Sequence, residues 1–235
     1  MNELGLEAIS RNDTLTERVR VSLRKALIDG AFAPGERIKI REVAQALGVS
    51  PTPAREALMH LIAEGALLAD TNKTALVPAL TLDSLREITE LRVSLETAAA
   101  AAAVDYLTDE DLAEIADHDK AGVDAAAAND MKVATEQNAA FHFGIYQHAR
   151  MPLMVRMIET TWLRSGAYLA IAYPAFDMTR QGLTKHQAIL AALRSRDASA
   201  VRATIEDDIR SSSKFLFESL RQHLQKSNGK RSKAG

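Results

Sequence analysis

The sequence contains no cysteine. Disulfides and thiolate metal sites are therefore excluded, and any bound metal must be held by His, Asp, Glu or Asn side chains. No apolar run approaches the ~18 residues that a membrane-spanning helix requires, and the start of the chain lacks a basic-then-apolar pattern. Both absences predict a cytoplasmic protein with no membrane partner. There is no H-E-x-x-H pair or comparable metallohydrolase motif. Strong net charge is also missing: 29 basic and 31 acidic residues leave −2 over 235 residues.

That near-neutral total hides an asymmetry. Residues 1–80 carry ten basic and ten acidic side chains, residues 81–220 carry fourteen and twenty-one, and residues 221–235 carry five and none. Phosphate contacts need local positive charge, so the charge balance disfavours the middle block as a nucleic-acid surface. The first block can bind DNA only through a localised patch, which a dimer would double.

The stretch Gly48-Val49-Ser50-Pro51-Thr52-Pro53-Ala54-Arg55-Glu56-Ala57-Leu58 is the candidate for the part that touches DNA. Val43, Ala44 and Leu47 stand at helical spacing before Gly48, which can take a positive φ and close a helix. Ser50 or Thr52 can cap a second helix, with Pro53 suited to its first position. Ala54, Ala57, Leu58 and Leu61 then face inward, leaving Arg55, Glu56 and Met59 on other faces. Two short helices joined by a tight turn form a helix-turn-helix, although a plain αα-hairpin would give the same local signals.

Around this stretch the chain reads as mainly α. Residues 1–12 lack periodicity and are expected to be mobile. Thr14 or Asp13 caps a helix to about Asp29, and Gly30 ends it. Ala33-Pro34-Gly35-Glu36 is a turn, and Arg37-Ile38-Lys39-Ile40 alternates as a short strand. After the second helix, stopped at Gly65, residues 66–79 read as a β-hairpin wing with Asn72 and Lys73 at its tip. From Leu82 onward the pattern is helical. Alanine runs at 98–103 and 125–128 predict closely packed helices. Thr108 starts another helix, and further helices fit about 130–149, 153–171, 179–195 and 198–224. The expected organisation is a winged helix-turn-helix domain at 13–79, an all-helical bundle at 80–224, and a disordered basic tail at 225–235.

The order of helix, Ala-Phe-Ala-Pro-Gly-Glu-Arg-Ile, helix-turn-helix and wing resembles the GntR family of bacterial transcription regulators. The hallmark is Val49-Ser-Pro-Thr-Pro-Ala-Arg-Glu-Ala-Leu58 followed by Glu64-Gly65. The helical remainder is similar to the FCD-type ligand-binding domain of the FadR subfamily, with Glu90-Leu91-Arg92, Phe141-His142 and Lys185-His186-Gln187-Ala188-Ile189-Leu190 as anchors. The resemblance implies DNA contacts at Arg41, Ser50, Thr52 and Arg55. Asn72 stands where the family's wing usually has glycine, and Lys73 beside it at the wing tip is a candidate contact to the sugar–phosphate backbone or the minor groove. Many members carry a guanine-reading arginine where this chain has Pro51, so base reading shifts to Arg55 and Arg41.

In the helical domain the resemblance implies a divalent-metal site. His142 and His186 are retained, while Asn138 replaces a carboxylate and Asp208 a histidine. Such a set suits Zn, Ni or Mn. The metal would anchor a small carboxylate effector, with Arg92, Arg164 and Tyr168 as candidate effector-binding residues. A surface salt bridge is the alternative for each arginine. The expected function is a homodimeric, ligand-responsive regulator, a repressor in most of the family, on a pseudo-palindromic double-stranded operator. Two alternatives stay open: a metal-free regulator sensing an acyl or apolar ligand, and a metal-dependent enzyme built on His142, His186 and Asp208. The reading favours no enzymatic activity.

Overall fold

The computed structural model describes residues 14–70, 74–79, 81–172 and 183–231. The expected mobile segment 1–12 and the wing tip with Asn72 and Lys73 lie outside the described residues. Helix α1 (Leu15–Ile28) starts at Thr14, whose hydroxyl accepts from the Glu17 amide at 3.2 Å. It is followed by β1 (Arg37–Ile38), α2 (Ile40–Leu47), α3 (Pro51–Ala63), β2 (Leu68–Ala69) and β3 (Ala75–Leu76). The strands form an antiparallel sheet in the order β1-β3-β2, with Arg37 opposite Leu76 and Leu68 opposite the same residue.

The helix-turn-helix turn is made by Gly48, which sits at φ 64° and closes α2. That left-handed conformation costs a glycine little and any other residue more. Helix α3 begins two residues earlier than the sequence suggests. Pro51, rather than Pro53, occupies its first position, where the missing N–H costs nothing. Ser50 stands at the cap position but its hydroxyl makes no capping bond.

The remainder is helical: α4 (Leu82–Ala103), α5 (Asp109–Ala127), α6 (Met131–Tyr146), a 3-10 turn at Gln147–Ala149, α7 (Pro152–Ala172), α8 (Leu183–Arg194) and α9 (Ala198–Arg231). Capping boxes at Thr81/Ser84 and Thr108/Asp111 fix the starts of α4 and α5. The first alanine run packs as expected, with Ala99, Ala100 and Ala103 fully buried. The second does not: Ala127 and Ala128 are exposed at the end of α5, where Asn129 turns the chain at φ 60°. Helix α9 continues to Arg231, past residue 224, where the sequence predicts a disordered tail. Lysine and arginine are good helix formers and suit the negative pole of a helix C-terminus. Among the described residues no helix is long and apolar enough to cross a membrane.

Two apolar cores divide the molecule, and the dividing line does not follow the chain. One gathers Val19, Leu23 and Leu27 of α1 and the helix-turn-helix core, together with Leu85 and Ile88 of α4, Leu163 and Tyr168 of α7, and Leu216 and Leu220 of α9. The other holds Ala99, Ala100 and Ala103 of α4, Ile158 and Trp162 of α7, and Val201, Ile205 and Ile209 of α9, with residues of α5, α6 and α8. Three long helices thus run through both cores. The helix-turn-helix is built into the helical domain rather than tethered beside it.

Candidate functional site

The outer face of the helix-turn-helix presents Arg41 at the start of α2 and Ser50, Thr52 and Arg55 across the first turns of α3, all exposed. No acidic residue lies in the first turn of α3, so its positive pole is uncompensated by the helix itself. The inner face of α3, Ala54, Ala57, Leu58 and Leu61, is buried against the core shared with α1. Helix α1 also holds α3 by polar contacts. Thr16 donates to Glu56 at 2.7 Å, and Arg20 reaches Glu64 at the end of α3 at 3.0 Å. Glu56 is therefore engaged in positioning α3.

Inside the helical domain, His142 of α6, His186 of α8 and Asp208 of α9 converge. One ligand-capable atom from each lies within 4.8 Å of the others. All three are almost wholly buried. His142 Nε2 stands 3.5 Å from Asp208 Oδ2, and its Nδ1 is 3.3 Å from the Tyr146 hydroxyl. His186 directs Nδ1 to Asp119 Oδ1 at 2.8 Å, which leaves Nε2 as its free ring nitrogen. The Phe141 ring stacks on His186 at 4.0 Å between centroids. Asn138 is half-buried on α6, one turn before His142.

Burial, reinforced by the charges of His186 and Arg92, holds His142 well below the ordinary histidine value of 6.5, so its imidazole is neutral at neutral pH. The contact with Asp208 is thus not an ion pair. Burial raises the Asp208 carboxyl above its ordinary value, an effect that the charges of His186 and Arg92 oppose. A neutral imidazole, a second imidazole oriented by a carboxylate, and a further carboxylate fit a borderline divalent ion such as Zn, Ni or Mn. His142, His186 and Asp208 would hold it, with Asn138 adjacent. Such an ion supplies Lewis-acid anchoring for an anionic ligand.

Asp119 and Glu96 are the site residues that the sequence reading missed. Asp119 occupies a core position of α5, in register with buried Leu112, Ile115 and Gly122, and also accepts from Gln187 at 2.8 Å. Glu96 is completely buried beside the cluster. It accepts from Arg92 Nε at 2.7 Å, Tyr146 Oη at 2.7 Å and Trp162 Nε1 at 3.0 Å. Both were legible as acidic residues standing on the apolar face of a helix.

Of the candidate effector residues, Arg92 lies beside this cluster. Its guanidinium is paired with Glu96 and sits 4.7 Å from the Trp162 ring centre. Arg164 follows Trp162 by two residues, which carries it about 200° round α7. Its Nε is buried without a hydrogen-bond partner among the described residues. Tyr168 packs in the core shared with α1.

Residues 15–77 match the bacterial regulatory proteins of the gntR family, and residues 87–211 match the FCD domain. The chain belongs to the GntR family of bacterial transcription regulators and carries an FCD domain. This GntR regulator is 32% identical over 207 residues to the HTH-type transcriptional regulator McbR of Escherichia coli (strain K12), covering 87% of this chain and 94% of that protein. It is 37% identical over 135 residues to the Nta operon transcriptional regulator of Aminobacter aminovorans, covering 54% of this chain and 62% of that one. The solved structure of E. coli McbR/YncC superposes with a TM-score of 0.82 at 32% identity over 87% of this chain and 98% of that one. A GntR regulator from Rhodococcus sp. RHA1, at 22% identity and TM-score 0.70, covers 86% of this chain and 97% of that structure, and shares the fold. The relatives are transcription regulators, and this chain is a DNA-binding regulator rather than an enzyme.

Proposed function

We propose that this regulator is a homodimeric repressor that binds a pseudo-palindromic operator and responds to a small carboxylate effector anchored by a divalent metal. The buried His142–His186–Asp208 cluster carries the reading. Buried ionisable groups are costly, and three converging on one point are best accounted for by a cation held among them. Without a metal, Asp208 makes the pocket unfavourable for a carboxylate; a divalent ion reverses that.

Arg41, Ser50, Thr52 and Arg55 form the proposed DNA face, extended at the wing by Asn72 and Lys73. A two-fold dimer would present two such faces to two half-sites. Pro51 has no donor, so Arg55 is the proposed principal base reader. Arg55→Ala is expected to weaken specific operator binding by about ten- to a hundredfold, the scale of one bidentate arginine–guanine pair. Non-specific binding should fall far less. A gel-shift titration against the DNA adjoining the regulator's own gene measures both, and an equal loss on specific and random DNA would count against Arg55 as a reader.

The metal reading makes an equally direct prediction at Asp208. A carboxyl whose folded pKa is raised above its ordinary 3.8 loses folding stability as pH rises from that value through the folded pKa. The penalty therefore grows as pH rises above that value. Asp208→Asn is therefore expected to melt higher than the wild type at pH 7.5 in chelator, by a few degrees. Adding Zn2+ or Mn2+ should raise the wild-type Tm by mass action and move the variant much less. The same metal response in both proteins would remove Asp208 from the site.

A further inference from the structure

We infer that α7 is a lever joining the effector pocket to the recognition helix, with Glu159 and Arg24 as the positioning residues that transmit its movement. The inference rests on the His142 cluster being the effector pocket and adds the route by which that pocket reaches the DNA face.

Three residues of α7, spaced within two turns, meet three different parts of the molecule. Trp162 faces the pocket: its indole donates to Glu96, and its ring centre lies 5.5 Å from that of His142. Glu159, one turn earlier, accepts from Arg24 of α1 at 2.5 Å. Gly166, one turn later, lies against the last turn of α1. A Cβ built there would stand 2.3 Å from the Leu27 carbonyl oxygen. Helix α7 is thus joined to α1 by an ion pair and, two turns on, by direct backbone approach.

Arg24 continues the connection. One of its terminal nitrogens holds Glu159 and the other holds Glu64, the residue that ends α3. Arg20 reaches Glu64 as well, and is itself held by Glu17 at 2.6 Å. The Arg24 side chain retains only 13% of its exposure, so solvent screens this pair less than an open surface pair. A guanidinium can fork between two carboxylates in this way, and an ammonium cannot do so with fixed geometry. The path runs from Glu96 through Trp162 along rigid α7 to Glu159, through Arg24, and ends at the C-terminus of the recognition helix.

On the other side of α1 the packing is open. A cleft of about 500 Å³ separates it from the start of α6, lined by Ser22, Lys25, Asp29, Met131, Lys132 and Glu136 among others. Lys25 spans it, 2.7 Å from Asp29 and 3.3 Å from Glu136. Helix α1 is therefore fixed on its α7 side and has room on its α6 side. A displacement of α7 moves α1, and α3 with it, toward or away from that cleft.

The test needs no effector. Hydrogen exchange of the α1 and α3 amides is measured in the full-length wild type, Trp162→Phe, Glu159→Gln and the double variant. Trp162→Phe keeps the aromatic ring but removes the donor to Glu96. It is expected to raise exchange in α3 about threefold, the scale of one modest ion pair. In the Glu159→Gln background the same change should have a clearly smaller effect, because the ion-pair arm of the connection is already gone and the Gly166 contact alone remains. Equal effects of Trp162→Phe in both backgrounds, or no effect on α3 in either, would overturn the lever. Calorimetric titration of the four proteins with Zn2+ is run in parallel. Failure of the wild type to bind Zn2+ refutes the metal reading of the pocket, while the exchange cycle decides the lever by itself.

Discussion

Glu96→Ala is expected to lower the stability of this regulator by about 3–5 kcal/mol, the cost of leaving one partner of a buried ion pair uncompensated. For a chain of this size that corresponds to a fall in Tm of roughly 6–20 °C in a calorimetric scan. The reason is the number of donors converging on one buried carboxylate. Arg92, Tyr146 and Trp162 all direct their donors at Glu96, which has no solvent exposure. Removing it takes the shared acceptor from a guanidinium, a phenol and an indole N–H at once. Replacing the pair together, Arg92→Met with Glu96→Leu, should restore much of the loss, because well-packed apolar residues often match a buried pair in stability. A single variant as stable as the wild type would mean that the three donors find water or new partners. The double variant should nevertheless lose the fixed orientation of Trp162 and Tyr146 beside His142, so stability and pocket order are expected to separate.

Gly166→Ala is expected to damage operator binding without touching the DNA face or the His142 cluster. The added carbon would meet the carbonyl oxygens of Leu27 and Ile28 at 2.3 and 2.8 Å and the Ile28 Cα at 3.0 Å. These are backbone atoms of a helix end, so relief requires α1 itself to move. Overpacking of this kind costs about 1–3 kcal/mol. The displacement should also carry α3 away from its present setting, since α1 holds α3 through Thr16–Glu56 and Arg20–Glu64. Gly122→Ala is the control: its nearest neighbour is the Gln137 Cβ at 3.3 Å, a side-chain atom within the helical domain. Gel-shift and Zn2+ titration of the two variants should show loss of operator binding with retained metal binding for Gly166→Ala only. Operator affinity unchanged in Gly166→Ala would show that the α1–α7 approach does not set the recognition helix.

What the sequence made legible was local. Gly48, Thr14 and Thr108 act on the backbone within a few residues of themselves, and each does in the structure what its chemistry predicts. The start of α3 was ambiguous because Pro51 and Pro53 both suit a first helical position, and only the observed cap at Ser50 decides between them. The two histidines and Asp208 were reached through family resemblance, and the structure brings them within one ligand set. Asp119 and Glu96 were passed over because an acidic residue on a mixed helix looks solvated until its register with the buried face is traced. Arg164 was placed beside Trp162 by adjacency in sequence, which a helix converts into opposite sides. The continuity of the two cores had no local signature at all: Leu163, Leu216 and Leu220 look like ordinary core residues of a bundle, and nothing near them in sequence shows that they share a core with α1.

That continuity bears on how such a regulator can be recombined. A DNA-reading module joined by a free linker can be exchanged between sensors at a seam. Here the seam lies inside an apolar core, and the surface that buries Val19, Leu23 and Leu27 is supplied in part by α7, which begins well over a hundred residues later. A chimera cut at the chain boundary near residue 80 would separate α1 from part of its own packing. A workable graft would have to carry the matching face of α7, so that the specificity of this head and the sensor beneath it are inherited together.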